Sequence, residues 1–136
     1  MTPPTPRGVR VSHIGIAVKA LGESLPFFRD VLGLKEVELD DADGATIAGF
    51  SAGEPLVELL EATEPDSPIA RFVARRGAGV HHICFSVDDL DGMLERCRQA
   101  GVELIDQVPR IGAEGKRIAF LHPRSTGGVL VELSDY

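Results

Sequence analysis

Ser12-His13-Ile14-Gly15-Ile16-Ala17-Val18 and His81-His82-Ile83-Cys84-Phe85-Ser86-Val87 are the two stretches that decide how this chain folds. Each is rich in strand-forming residues, and aligning His13 on His82 sets an offset of 69 residues. Leu32-Gly33-Leu34 matches Ala100-Gly101-Val102 at an offset of 68, and Leu56-Val57-Glu58-Leu59 matches Leu130-Val131-Glu132-Leu133 at 74. Three matches in one order at nearly one offset indicate a duplicated unit, and two copies are too few for a solenoid. The secondary structure follows the repeat. Val9 to Val18 reads as a strand. Glu23 to Leu32 reads as a helix from the spacing of Leu25, Phe28 and Leu32, with Ser24-Leu25-Pro26 at its start and Gly33 at its end. Strands are expected near 34–39, 44–50 and 55–61. In the second copy, Val80 to Val87 is a strand, Asp88 or Asp89 caps a helix ended by Gly101, and strands are expected near 102–107, 115–121 and 128–134. Each copy is β-α-β-β-β, so the class is α+β: one domain over 1–136, with module one at about 9–62 and module two at about 79–136. A linker helix at about 66–76, capped by Asp66 or Ser67, joins them.

Alternation along a strand places His13, Gly15 and Ala17 on one face, and His82, Cys84 and Ser86 on the equivalent face of the second copy. A histidine beside small residues suits a face that lines a cavity. Glu58 lies among leucines, as does Glu132, and a carboxylate there is costly unless it is paired or bound to metal. With the halves related by an approximate two-fold axis, His13, Glu58, His82 and Glu132 converge on one divalent ion. That set suits zinc, cobalt, nickel, manganese or iron at octahedral geometry, with two positions open. His81 is expected on the opposite strand face as a structural residue, and His122, before Pro123, as a turn histidine.

Composition bounds the rest. The chain has 136 residues, 43% hydrophobic and 26% charged, the profile of a globular protein of about one domain. The net charge of −7 argues against nucleic acid. Residues 1–68 carry 5 basic and 12 acidic groups, and residues 69–136 carry 9 of each, so an anionic ligand finds partners in the second half: Arg71, Arg75, Arg76, Lys116, Arg117 and Arg124. No apolar run is long enough to span a bilayer, and no membrane partner is expected. Met1 to Gly8 lacks the apolar core of a signal peptide, and Cys84 and Cys97 form no C-x-x-C pair, so a reducing cytoplasm is expected.

Those residues bring the chain to a known family. The β-α-β-β-β duplication with its His/Glu/His/Glu set resembles the vicinal-oxygen-chelate superfamily, which includes glyoxalase I and extradiol dioxygenases. Within it, the chain looks most like the methylmalonyl-CoA epimerases. Beyond His13 to Val18, the resemblance rests on Val57-Glu58-Leu59-Leu60-Glu61 with Pro65-Asp66-Ser67-Pro68-Ile69-Ala70. It also rests on Arg76-Gly77-Ala78-Gly79-Val80-His81-His82-Ile83, on Gly115-Lys116-Arg117-Ile118-Ala119-Phe120-Leu121-His122-Pro123, and on Ser125-Thr126-Gly127-Gly128-Val129-Leu130-Val131-Glu132-Leu133. It implies a curved half-open barrel around one metal (cobalt, manganese, nickel or zinc), commonly as a homodimer, acting on a coenzyme A thioester. The reaction implied interconverts (R)- and (S)-methylmalonyl-CoA through a metal-stabilised enolate. The chain departs from some members, which carry a glutamate base on the third strand; Ala45-Thr46-Ile47-Ala48-Gly49-Phe50 has no ionisable group. Glu132 is then the first choice for acid/base work, Glu58 the second and Glu114 the third. Lys116 and Arg117 are candidates for the coenzyme A tail, and alternation allows one of them to matter strongly. The rival readings are a glyoxalase I-type lyase and a non-catalytic small-molecule-binding member of the superfamily.

Overall fold

The computed structural model describes residues 8–136; the segment on which the signal-peptide reading rests, up to residue 7, lies outside the described residues. Eight strands form one curled sheet in the order β2-β3-β4-β1-β5-β8-β7-β6. The first half supplies β1 (Arg10–Val18), β2 (Lys35–Val37), β3 (Ala45–Ser51) and β4 (Leu56–Ala62), and the second β5 (Gly79–Val87), β6 (Arg110–Ile111), β7 (Arg117–Leu121) and β8 (Val131–Asp135). In each half the first strand pairs parallel with the last, β1 with β4 and β5 with β8. The halves join through an antiparallel β1–β5 seam at the centre of the sheet.

The expected alternation on β1 is present: His13 and Ala17 are buried while Ile14 and Ile16 are half-buried. Helix α3 (Leu90–Gln99) covers module two with Leu90 and Leu94 against Val87, Leu121 and Leu133. Its N-cap is Asp89, whose carboxylate accepts from the Gly92 N–H. Linker helix α2 (Pro68–Arg76) is capped by Ser67, ends at Gly77 with φ of 78°, and buries Ile69 against Ala17 and Leu60. It thereby closes one end of the face that carries His13.

Two local expectations fail for physical reasons. The first helix begins earlier, as α1 (Leu21–Leu25), and continues through Pro26–Val31 as a wider turn of π type. Pro26 lacks an N–H and so opens the helix from within rather than starting it. Glu61 accepts from the Leu21 N–H at 2.6 Å and satisfies the first turn of the helix where it begins. The strand expected near 102–107 does not form either; Leu104 makes an isolated bridge to Leu121, and the edge strand is the two-residue β6. The Asp106 carboxylate accepts from the Phe120 N–H at 2.8 Å, taking the place of a ladder bond.

Candidate active site

The sheet register brings the four expected residues together in two rows. Gly15 is the cross-strand neighbour of Glu58 on one side and of His82 on the other. Cys84 is the neighbour of His13 on one side and of Glu132 on the other. Gly15 and Cys84 hold equivalent positions in the two copies. At Gly15 a Cβ would lie 2.2 Å from His82 Cε1, so the missing side chain is what lets the His82 ring fold over β1.

Both histidines follow an extra residue. The β1–β5 register shifts between Val11 and His13 and again between Gly15 and Ile16, leaving Ser12 and His81 as the unpaired residues of two bulges. The bulge overturns the expectation that His81 faces away. Its Nδ1 lies 3.0 Å from His82 Nδ1, and its ring meets Phe72 edge-on at 5.1 Å. Ser12 does the same in module one, with Oγ 3.2 Å from His13 Nδ1. Burial and the neighbouring His82 push the His81 pKa down to about 4.

His13 Nε2, His82 Nε2 and Glu132 Oε1 form a triangle with edges of 3.1, 2.9 and 3.2 Å. Donors about 2.1 Å from one divalent ion, in neighbouring octahedral positions, stand about 3.0 Å apart, so these three fit a common ion. Glu58 sits on the other side of the His13 ring. Its Oε2 is 3.2 Å from His13 Nδ1 but off the hydrogen-bonding direction, which leaves that buried oxygen without a hydrogen-bond partner. An unsatisfied buried carboxylate oxygen is costly, and a cation would satisfy it. Glu114, third choice from the sequence, reaches His13 Nδ1 at 2.9 Å. All five residues, with Lys116, line one cavity of about 40 Å³. Arg117 is not among them: it faces outward, 2.7 Å from Asp91 and 3.5 Å from Asp135. His122, in its turn, accepts from the Arg124 N–H at Nδ1.

The two equivalent carboxylates differ in proton affinity. Burial raises Glu58, and Glu114 and Glu132 add repulsion, so despite His13 its pKa rises to about 8. Burial acts on Glu132 in the same sense, but hydrogen bonds from His13 and His82 outweigh it and bring its pKa down to about 2. For His13, burial disfavours the charge, yet contacts with Cys84, Glu114, Glu132 and Glu58 push its pKa up to about 12. Without a metal, one carboxylate is pushed towards its neutral form while its counterpart is held ionised; a bound cation would favour the ionised form of both.

Residues 10–133 match the Glyoxalase/Bleomycin resistance protein/Dioxygenase superfamily. The chain belongs to that superfamily. It is 42% identical over 128 residues to YqjC of Bacillus subtilis, covering 93% of this chain and 91% of the relative. It is 37% identical over 130 residues to an ethylmalonyl-CoA/methylmalonyl-CoA epimerase of Cereibacter sphaeroides, covering 93% and 97%. Among solved structures, a methylmalonyl-CoA epimerase in complex with methylmalonyl-CoA and NH4+ superposes with a TM-score of 0.87 at 35% identity, over 93% of this chain and 94% of that one. The structure brings His13, Glu58, His82 and Glu132, which the repeat and the strand faces single out, to one cavity. The inward turn of His81 was missed, because a bulge leaves no mark in the alternation that reveals a strand.

Proposed function

We propose that this chain is a methylmalonyl-CoA epimerase, one domain of two duplicated modules with a single reaction centre at their seam. The observation that carries the reading is the pair Glu58 and Glu132. They occupy equivalent positions in the two modules, line one cavity and stand at opposite edges of the His13 ring, Glu132 at Nε2 and Glu58 beside Nδ1. Epimerisation at C2 requires a proton to leave one face and another to arrive on the opposite face, so a base and an acid must be present together. Glu132 would take the C2 proton and Glu58 would return one from the other side, and in the reverse direction the two would exchange roles; each would have to loosen from the ion to do so. Glu114 and Ser12 hold the His13 ring through Nδ1, and His81 holds the His82 ring in the same way.

His13, His82 and Glu132, with Glu58 completing the set, would hold one divalent ion (cobalt, manganese, nickel or zinc). Such an ion would supply Lewis-acid stabilisation to the charge that develops on the thioester and carboxylate oxygens. Lys116, at the cavity wall, adds a positive charge facing the substrate carboxylate. A homodimer in the cytoplasm completes the reading. Among the described residues no helix is long and apolar enough to cross a membrane.

The test is exchange of the C2 proton of methylmalonyl-CoA with solvent deuterium, run on metal-loaded protein beside racemisation of each epimer. Exchange and racemisation at comparable rates are expected. Absence of both, with turnover of a glutathione hemithioacetal instead, would move the chain to a lyase.

A further inference from the structure

The His82 ring is confined on three sides. Gly15 leaves it space over β1, His81 meets its Nδ1 at 3.0 Å, and the Phe120 ring stands edge-on at 5.6 Å. Phe120 is also, with Leu60, the wall between the site cavity and an apolar cavity of about 170 Å³ lined by Ile69, Ile105 and Leu130. A phenyl ring beside such a space turns into it unless something holds it. Here the Arg110 guanidinium lies over the ring, 5.5 Å from its centre. Arg110 is fixed in turn by two carboxylates: Nη1 donates to Asp43 at 2.7 Å and Nε to Asp106 at 3.2 Å. Asp106 also accepts from the Phe120 N–H at 2.8 Å, so the ring and the backbone of Phe120 are tied to one cation. Asp43 belongs to module one. It sits in the turn before β3 with φ of 53°, a left-handed conformation that aspartate tolerates, and it lines both cavities. Module one has no counterpart of the ring. Phe120 pairs with Glu132 on β8, and the residue that pairs in the same way with Glu58 on β4 is Gly49. A Cβ at Gly49 would lie 2.5 Å from Leu39 Cδ1, so a core leucine fills that space and no ring can stand there.

We infer that Arg110 is a positioning residue for His82, acting through Phe120 and held in place by Asp43 of the other module. The inference rests on the metal-site reading of the preceding section, in which His82 is a ligand. A histidine ligand is only as well placed as the groups that lock its ring, and Phe120 is one of those groups. The bond between Arg110 and Asp43 is partly exposed and by itself contributes little to stability. Its weight lies in where it puts the guanidinium. A planar, weakly hydrated cation suits an aromatic face better than an ammonium does. With Arg110 released, Phe120 is free to turn into the 170 Å³ space, and the His82 ring loses its third side. His82 is thereby fixed by residues of both modules.

The test loads the protein with cobalt(II) and reads two quantities, the visible absorption of the bound ion and the rate at which a chelator removes it. Phe120→Leu should speed removal by about tenfold. Arg110→Gln should speed it by about threefold, what a cation–π contact at a partly exposed site is worth. Both should alter the absorption in the same sense. Because Arg110 acts through the ring, the double variant should behave as Phe120→Leu alone. Arg110→Lys keeps the charge without the planar group and should recover only part of the loss. Asp43→Asn should do less than Arg110→Gln, because Asp106 still holds the guanidinium. Arg29→Gln, which breaks an exposed ion pair with Asp30, is the control and should change neither reading. The Arg110 and Asp43 side chains are partly exposed, so these variants carry the test even where Phe120→Leu does not fold. Wild-type absorption and removal rate in Arg110→Gln overturn the role, whether or not urea stability falls, since the contacts are then structural only. Effects that add in the double variant overturn it as well. Wild-type protein that takes up no cobalt removes the metal-site reading and this role with it; cobalt uptake that is indifferent to Arg110 removes the role alone.

Discussion

Strands β1 and β5 carry the same histidine in the same place, after the same kind of bulge, yet they build unlike surroundings. Two residues beyond the histidine, β1 has Gly15 and β5 has Cys84. Gly15 leaves room that the His82 ring occupies; Cys84 is fully buried and fills the corresponding room beside His13. His13 is therefore held between Glu132 at Nε2 and Glu114 with Glu58 at Nδ1, whereas His82 meets one carboxylate, Glu132. The consequence is electrostatic. Glu132 receives both imidazoles and is ionised, while Glu58 faces the crowded edge of His13 and retains a proton. The duplication gives the two modules equivalent positions, and Gly15 in one against Cys84 in the other accompanies the unlike surroundings of the two histidines.

The largest effect should come from erasing that difference at Gly15. Gly15→Ala puts a methyl group 2.2 Å from His82 Cε1, closer than any relaxed contact, so the ring must leave β1. Metal content after dialysis should fall to background and C2 exchange with it. Cys84→Gly, which gives module two the glycine of module one, should retain metal within about tenfold. Full metal occupancy in Gly15→Ala would mean that His82 is not a ligand.

The sequence carried this comparison only in part. The repeat, the strand faces and the four site residues were legible, because alternation and self-similarity depend on residue type. Three features were not. The bulges at Ser12 and His81 depend on register between strands far apart in sequence. The lost strand near 102–107 depends on the Asp106 side chain competing for a backbone N–H. Pro26 looked like a helix start because a proline in a first turn and one inside a π turn have the same neighbours in sequence. Glu114 ranked low for a related reason: a loop carboxylate is usually solvated, and the fold alone brings it against His13.

The carboxylates offer the intermediate effect, and its sign differs between modules. Folded Glu58 holds its proton up to about pH 8, whereas an unfolded glutamate releases it near 4.5, so the folded state binds more protons between those values. Metal-free protein should lose that contribution to stability as pH rises from about 4.5 to about 8. Glu58→Gln should then stabilise metal-free protein at pH 8, relative to its effect at pH 4, by about 4 kcal/mol in urea unfolding. Glu132 is shifted the other way, down to about 2; its contribution is present above about 4.5 and lost as pH falls from there towards 2. Glu132→Gln should therefore remove acid sensitivity. Metal uptake displaces the protons on His13 and Glu58, so affinity should rise with pH near 7 by up to about a hundredfold per unit, and by about tenfold in Glu58→Gln. Identical pH slopes in the two variants would collapse the distinction between the carboxylates.

The smallest effect concerns the bulge residues. A histidine that binds metal through Nε2 carries its proton on Nδ1, and that proton needs an acceptor to fix the ring. In module one the acceptors are Ser12 Oγ with Glu114; in module two the acceptor is His81 Nδ1 at 3.0 Å. The depressed His81 pKa, about 4, keeps that ring neutral and able to accept near pH 7. His81→Phe preserves the edge contact with Phe72 and leaves the His82 N–H unsatisfied. It should weaken metal binding by about tenfold in chelator competition while leaving metal-free stability nearly unchanged. Ser12→Ala should do less, because Glu114 still reaches His13. His81→Ser transplants the module-one acceptor into module two, and recovery of part of the lost affinity there separates the hydrogen bond from the packing. If His81→Phe binds metal like the wild type, the bulge serves only to aim His82, and the likeness between the two modules ends at the backbone.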